Sequence, residues 1–554
     1  MAERSIAALT DCVNKTTLLH LAARFSDTYS VLAKTSLDQF LVTPVTALPT
    51  GREQGKFICI DVGGTNLRVG FIELLGQTED GAQNGNEMHK PMERVRRLHD
   101  RNWPIGDHLK MDHAEDLFGW IGGCIAEVIQ AALDDVPDGT SSQSSLLGEE
   151  LLLGITFSFP MSQKTLSEAT LLPMGKGFAI TSDLNLGKLL LAGYARHANG
   201  NESINNGIQH KEPPTKKQKT STQLPGIRIA TITNDTVATF TSLAYAVKVA
   251  PNSRVAMGLI VGTGTNATVP MKLANLHPTK KNDLQNSDQV DTVIVNTEWT
   301  INGTEQPLID LGIQNHWDRE LDRNSDRPGF QPFEYMTAGR YLGEIVRLAF
   351  IDLHASAEGE TSPQLPAKLK KRNAVSTRFL SEVVATSTQD DDENDDAFTA
   401  LTSRLEAEFP SQQREEGQAG PCFWTRKRST LLRHIAAAVQ QRSSALIAAA
   451  CIGLLDCVHD IHLHRSTPGP QNGHADLNNA DARGEEEKEE LVIAYAGSTI
   501  SQYPNWLADC QKWIDILVAE GSRENAGKRV VLREASDGGI IGAGVLAGMT
   551  ESIA

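Results

Sequence analysis

Apolar residues recur through positions 14–40 at Leu18, Leu19, Ala22, Phe25, Tyr29, Leu32 and Phe40, spacings that share one helical face, before Pro44 and Pro49 break the run. The segment FICIDVGGTNLRVGFIEL, 57–74, follows another rule. Two β-prone apolar runs flank a Gly-Gly-Thr-Asn turn, which predicts a buried hairpin with a glycine-rich tip. LLLGITFSF, IRIATITND, VAMGLIVGTGTNATV and ELVIAYAGS read as further strands, and AGRYLGEIVRLAFIDL and TLLRHIAAAVQQRSSALIAAACIGLLDCV as long helices. The last is a core stripe and not a membrane span, because Arg442 and polar pairs interrupt it. Strand-to-glycine-turn units alternating with helices predict an α/β chain of two related halves. Four polar stretches, 76–91, 193–225, 386–397 and 466–490, are poor in aliphatic residues and read as surface loops.

Length and charge narrow the picture. A chain of 554 residues with 40% hydrophobic positions can bury a sizeable core, as two large domains with insertions or three to four ordinary ones. With 52 Lys and Arg against 69 Asp and Glu, the formal charge of −17 argues against a general binder of nucleic-acid backbone, but not against a small anion gripped by loops. Seven cysteines without a C-x-x-C pair fit a reducing compartment. The start MAERSIAALTDCVNK lacks the charged region and apolar stretch of a signal peptide, so a soluble intracellular protein is expected. His459, His462 and His464 beside Cys457 match no zinc spacing, and no metal is expected there.

Three strand ends carry glycine-rich turns: Asp61-Val62-Gly63-Gly64-Thr65-Asn66, Gly262-Thr263-Gly264-Thr265-Asn266 and Ser536-Asp537-Gly538-Gly539. Glycine lets backbone N–H groups approach an anion, and neighbouring hydroxyls and amides add uncharged donors. Singly, each is more often a plain turn; three in one chain favour phosphate binding. No G-x-x-x-x-G-K-[ST] or supported G-x-G-x-x-G is present, which removes Walker-type and dinucleotide folds. Asn234-Asp235-Thr236 closes an apolar strand and puts a carboxylate at its carboxyl end, where it can cap the next helix or act as a base.

The order of these pieces resembles the hexokinase family over nearly the whole chain. LPTGREQGKFICIDVGGTNLRVG and GLIVGTGTNATV look like its two phosphate motifs, and LLGITFSFPMSQKTLSEATLLPMGKGF like its sugar signature. ITNDTVATF is similar to the segment with the catalytic aspartate, VNTEWT and GFQPFEYMTAGRYLGEIVRL to those with two sugar-binding glutamates, and AYAGSTISQYPNW and LREASDGGIIGAG to the adenosine end. The resemblance implies an actin-like ATPase (ribonuclease H-like) α/β fold of two domains around a cleft. It divides the chain into a lead-in at 1–50, a small domain at 51–247 and a large domain at 248–554. It implies ATP with Mg²⁺ and phosphoryl transfer to the 6-hydroxyl of a glucose-like hexose, the step that feeds glycolysis. In this resemblance Asp235 and Lys176 are catalytic, and Ser158, Asn234, Asn266, Glu298 and Glu334 hold the sugar. Asp61, Gly63, Gly64, Thr65, Asn66, Arg68, Gly262, Thr263, Gly497, Ser498, Asp537 and Gly538 face the nucleotide.

Several positions depart from the family pattern. Gly175 replaces a threonine of the sugar signature, Thr300 a glycine after Trp299, and Ala496 an aspartate before Gly497. In the last motif Ile540 and Ile541 replace small and cationic residues. A β-branched residue is disfavoured wherever φ is positive, so these two changes are expected to weaken ATP binding. The alternative function is a catalytically impaired hexokinase-like sugar sensor acting through protein partners. The cluster Lys216-Lys217-Gln218-Lys219, in a polar loop of an acidic chain, adds the nucleus to the cytoplasm as a location. Neither direct nucleic-acid binding nor membrane insertion is expected.

Overall fold

The computed structural model describes residues 5–76, 94–106, 108–109, 113–135, 150–172, 184–198, 224–247, 252–284, 289–358, 364–385, 395–411, 422–465 and 488–551. Gly175, Lys176 and the 216–219 cluster lie outside the described residues. The principal elements, in chain order, are helix α1 (Lys15–Thr35), strands β1 (Gln54–Val62), β2 (Asn66–Leu75) and β3 (Val95–Pro104), helix α2 (Ala114–Asp134), strand β4 (Glu150–Phe157), helix α3 (Leu186–Ala198) and strand β5 (Gly226–Asn234). Helix α4 (Asp235–Val247), strands β6 (Ser253–Val261) and β7 (Thr265–Lys272), and helices α5 (Gly339–Glu358) and α6 (Arg426–Cys457) follow. Strand β8 (Glu489–Ala496), helix α7 (Trp506–Gly521), strand β9 (Lys528–Glu534) and helix α8 (Gly538–Glu551) complete the set.

These elements form two compact units that interleave along the chain. The hairpin unit takes residues 41–251, 278–296 and 535–554; the long-helix unit takes 1–40, 252–277 and 297–534. This differs from a single division at 247/248 in three segments: 278–296 joins the hairpin unit, and the two ends of the chain change sides through long-range burial. Helix α8 belongs with the hairpin unit, where Ile540, Ile541, Ala543 and Val545 share a core with Phe57, Cys59, Ile72, Leu74 and Tyr245. Helix α1 belongs with the long-helix unit and lies so close to α6 that a Cβ on Gly453 would come within 2.6 Å of the Ala22 carbonyl oxygen.

In the hairpin unit a five-stranded sheet runs in the order β3-β2-β1-β4-β5. β1 and β2 form the expected antiparallel hairpin, Val62 opposite Leu67, while β1, β4 and β5 are parallel neighbours. The side-chain period of two sends Phe57 and Cys59 of β1 towards α8, and Ile58 and Ile60 into a second core with Phe118, Ile121 and Ile125 of α2. In the long-helix unit four strands repeat the scheme in the order β7-β6-β8-β9: an antiparallel hairpin, then two parallel neighbours. The two related halves read from the sequence are thus two copies of one strand plan.

Helix α1 ends at Thr35, capped at its start by Asn14, whose side chain accepts from Thr17 N at 3.0 Å. Phe40, expected on its apolar face, instead lies beyond the helix with φ 51°, its N–H donating to Thr297 O. Helices α2 and α6 are long and apolar enough to cross a membrane, yet 67% and 89% of their apolar windows are buried inside the fold. The 193–225 stretch also begins later than read: 193–198 close α3, where Tyr194 is buried and a Cβ on Gly193 would meet Phe118 O at 2.1 Å. Likewise Asp395 and Asp396 start a helix (Asp395–Glu408), and Glu489 and Glu490 open β8.

Candidate active site

The hairpin unit gathers its share of the expected residues through strand register. Val62 stands opposite Phe157 and Phe157 opposite Asn234, so the carboxyl ends of β1, β4 and β5 are level. Asp61, the 63–66 tip, Ser158 and Asn234-Asp235 therefore share one edge, the end of an α/β sheet where ligands collect. Ser158 N donates to Val62 O at 3.0 Å. Asn234 Oδ1 accepts from Thr236 N at 2.9 Å and from Thr236 Oγ1 at 2.7 Å, so Asn234 caps α4. Of the two roles open to Asp235, the cap is taken by its neighbour, and the half-buried Asp235 carboxylate stands at the first position of the helix. With its oxygen engaged, Asn234 offers a ligand only its amide hydrogens.

Within the tip, Gly63 N donates to Asn66 O at 2.9 Å, and Thr65 O accepts from Ile105 N at 2.8 Å. A Cβ on Gly64 would meet nothing within 4 Å, and its φ is ordinary, so no intramolecular contact calls for glycine there. What it provides is open backbone at the edge of the sheet. Asp61 lies on the α8 side of β1; a Cβ on Gly539 would come within 2.4 Å of its Oδ2, so a side chain there would have to displace the carboxylate. Burial pushes the Asp61 carboxyl up to about 7; Arg68 pulls against the shift, while Asp235 and Asp537 add to it. The Asp537 carboxylate lies between two guanidinium groups, accepting from Arg68 Nη1 at 2.9 Å on Oδ1 and from Arg97 Nη1 on Oδ2. A magnesium nucleotide fits this set, because a hard divalent cation takes carboxylate oxygens and relieves their crowding. Among the described residues no three His, Cys, Asp or Glu side chains are placed to cage a metal, so the ion's other ligands would be phosphate oxygens and water.

Ile540 and Ile541 need a different account from the one their substitution suggested. Both lie in the first turn of α8, 1% and 8% exposed, in an apolar core. Positive φ falls earlier, at Asp537 with φ 54°. The isoleucines carry no positive-φ strain, so the backbone gives no reason for weakened ATP binding at these two positions. Ile541→Lys is expected to cost about 2 kcal/mol by forcing an ammonium group against that core. A thermal melt lowered by several degrees, with nucleotide dependence no better, is the outcome to look for.

The long-helix unit gathers Asn266, Glu298 and Glu334. Trp299 and Phe333, each next in sequence to one of the glutamates, are fully buried and pack edge to face, ring centroids 6.1 Å apart. Phe25 and Tyr29 of α1 pack on the same pair. This aromatic cluster holds the two acidic segments together. Asn266 Nδ2 donates to Glu298 Oε1 at 3.2 Å. Glu334 is 7% exposed; its Oε1 accepts from Gln331 Nε2 at 3.1 Å and its Oε2 from Thr300 Oγ1 at 3.2 Å. Glu298 sits at φ 46°, a conformation a non-glycine residue holds only where its surroundings impose it. Here Gln39 Nε2 donates to both Glu298 O and Thr304 Oγ1, at 3.3 and 3.2 Å.

The second glycine-rich turn, 262–266, is bound internally. Gly262 N donates to Gly264 O at 2.9 Å, while Gly262 O accepts from Gly339 N at 2.8 Å and Thr499 Oγ1 at 3.0 Å. Gly497, at φ 121°, passes so close to β6 that a Cβ would lie 2.4 Å from Val261 O. Ser498 follows, exposed. Four contributors have no local signal in the sequence: Gln39, Arg97, Gln331 and the hydroxyl of Thr300. Gln39 is 259 residues from the carbonyl it braces.

Two units with the same strand plan, each with glycine turns at the ends of its strands, define an actin-like ATPase fold. Two family models described as hexokinase match residues 8–245 and 256–549. The chain belongs to the hexokinase family. It is 27% identical over 512 residues to hexokinase-7 of Oryza sativa subsp. japonica, covering 92% of this chain and 88% of that protein. Identity to a hexokinase of Kluyveromyces lactis is 28% over 355 residues, 64% of this chain and 61% of that one. Among solved structures, the Schistosoma mansoni hexokinase complexed with glucose superposes with a TM-score of 0.67 at 21% identity, covering 98% of both chains. A second hexokinase crystal structure gives 0.65 at 22%, covering 99% of this chain and 98% of that one.

Proposed function

We propose that the protein transfers the terminal phosphoryl group of ATP to the 6-hydroxyl of a glucose-like hexose, with Asp235 as the base. The observation that carries this is the arrangement at the end of β5, where Asn234 supplies the helix cap and Asp235 is spared that duty. A sugar hydroxyl is a poor nucleophile, and a carboxylate within hydrogen-bond reach accepts its proton as the new O–P bond forms. Magnesium carried by the nucleotide supplies charge neutralisation of the phosphoryl group. Thr65 and Asn66, exposed at the tip, offer hydroxyl and amide donors to phosphate oxygens, and Asp537 orients Arg68. Asn266, Glu298 and Glu334 suit pairs of vicinal hydroxyls, since carboxylates accept what sugar hydroxyls donate. Lys176 and Ser158 complete the proposed set.

The test is a melt with and without glucose, beside a coupled assay for ADP. Glucose should raise the Tm, because a ligand that binds only the folded state stabilises it by mass action, and Glu298→Ala should remove most of that shift. No shift at tens of millimolar glucose would remove the hexose from the proposal.

We also propose that Lys216, Lys217 and Lys219 direct part of the protein to the nucleus. Changing all three to alanine should move a fluorescent fusion to the cytoplasm; the same distribution before and after would mark the cluster as ordinary loop charge. Deleting 199–223 should leave the melt unchanged, whereas a deletion starting at 193 should lower it by removing the end of α3.

A further inference from the structure

Thr300 stands where the family pattern places glycine; the residue is 3% exposed, with its hydroxyl against the carboxylate of a proposed sugar ligand. We infer that Thr300 is a positioning residue that sets the Glu334 carboxylate for hexose, and thereby a determinant of sugar affinity. The inference rests on the hexose kinase reading above and adds to it a residue which that reading leaves without a role.

The geometry leaves Thr300 little freedom. Trp299 before it is fully buried against Phe333 and Tyr29, so the backbone cannot turn without unpacking the ring. Upstream, Thr297 N and Oγ1 both donate to Ala267 O, at 3.0 and 2.9 Å, and Gln39 braces the Glu298 carbonyl. A short segment held at both of those points delivers the Thr300 Oγ1 proton to Glu334 Oε2 at 3.2 Å. The other carboxylate oxygen accepts from Gln331 Nε2, which also donates to Tyr341 Oη at 2.7 Å.

Donors on both oxygens fix the plane of the carboxylate, and bonds to a charged acceptor are stronger than neutral ones. A carboxylate locked before the sugar arrives loses less freedom on binding. Glycine at 300 would leave Oε2 to the longer contact from Thr265 N, at 3.5 Å, so the threonine hydroxyl, at 3.2 Å, adds order at the site. The same short segment carries Glu298, so Thr300 also ties the positions of the two acids to each other. Because the contact acts on the bound sugar throughout the reaction, its loss should appear in the Michaelis constant and not in turnover.

The test uses the full chain and glucose as the probe. Thr300→Val keeps the shape and removes the hydroxyl; it should raise both the glucose Kd by calorimetry and the glucose KM about tenfold, with kcat near that of the parent. Thr300→Ser, which keeps the hydroxyl, should restore the parent affinity. A folded Thr300→Val protein with unchanged Kd and KM overturns the inference. So does a Thr300→Ser protein as weak as the valine variant, since side-chain packing would then be the cause. Glu334→Ala separates the two levels of the argument. If it loses glucose while Thr300→Val does not, only the role of Thr300 fails; if it binds glucose like the parent, the hexose reading fails and the inference with it.

Discussion

Asp235→Asn should lower glucose-dependent ADP formation by about 10²- to 10⁴-fold, the range that a positioned base contributes. Asparagine matches aspartate in shape, but its amide cannot take the proton released as the O–P bond forms. The substitution is cleaner than most at a helix start, because the bonds that close the first turn of α4 come from the Asn234 side chain and survive it. The melt should therefore be that of the parent, and glucose should still raise it. Activity within a few fold of the parent would sink the assignment of the base and return Asp235 to an ordinary helix position.

Arg442→Met should cost about 3 to 5 kcal/mol of stability, the usual penalty for stranding a buried charge. Arg442 is 0% exposed at the middle of α6 and donates to both oxygens of Asp318, at 2.9 and 2.7 Å, in a carboxylate only 1% exposed. Desolvation opposes the arginine's charge and Asp318 more than offsets it, holding the guanidinium pKa above its usual value. Asp318 is tied a second time, accepting from Asn315 N at 2.9 Å in a capping box, so it cannot swing out to water without opening that helix. Chemical denaturation should show a large loss for Arg442→Met and partial recovery in Arg442→Met/Asp318→Asn, where the stranded charge is gone. Equal losses in the single and double variants would show that packing around α6, and not the charge, sets the penalty.

The hairpin at 57–74 was legible because its apolar runs are local, and a period of two says which side chains point the same way. So was Asn234-Asp235 as a strand end, although only the fold divides the labour between the two residues. What sequence could not supply is any interaction whose partners are far apart in the chain. Gln39 carries no motif; it matters because it reaches Glu298. Arg97 lies on a polar strand and acquires its role from Asp537. Comparison with a family pattern misled in a particular way at two positions. At 541 the absent lysine drew attention to a lost charge, when the side chain present is part of a core. At 300 the absent glycine marked only a departure from the pattern, when the side chain present makes a hydrogen bond. In both cases the residue gained explained more than the residue lost.

The interleaving of the two units bears on how the protein is made. Phe57, Cys59, Ile72 and Leu74 are translated early, but the helix that covers them begins at Gly538. Between Leu74 and Gly538 the ribosome adds more than 460 residues, during which one face of the first sheet lacks its covering helix and presents an apolar surface to solvent. The long-helix unit has all its strands and helices by Glu534 and can close first. Synthesis thus finishes last the unit whose sheet it lays down early, and a nascent chain stalled before α8 would depend on chaperones to hold that surface.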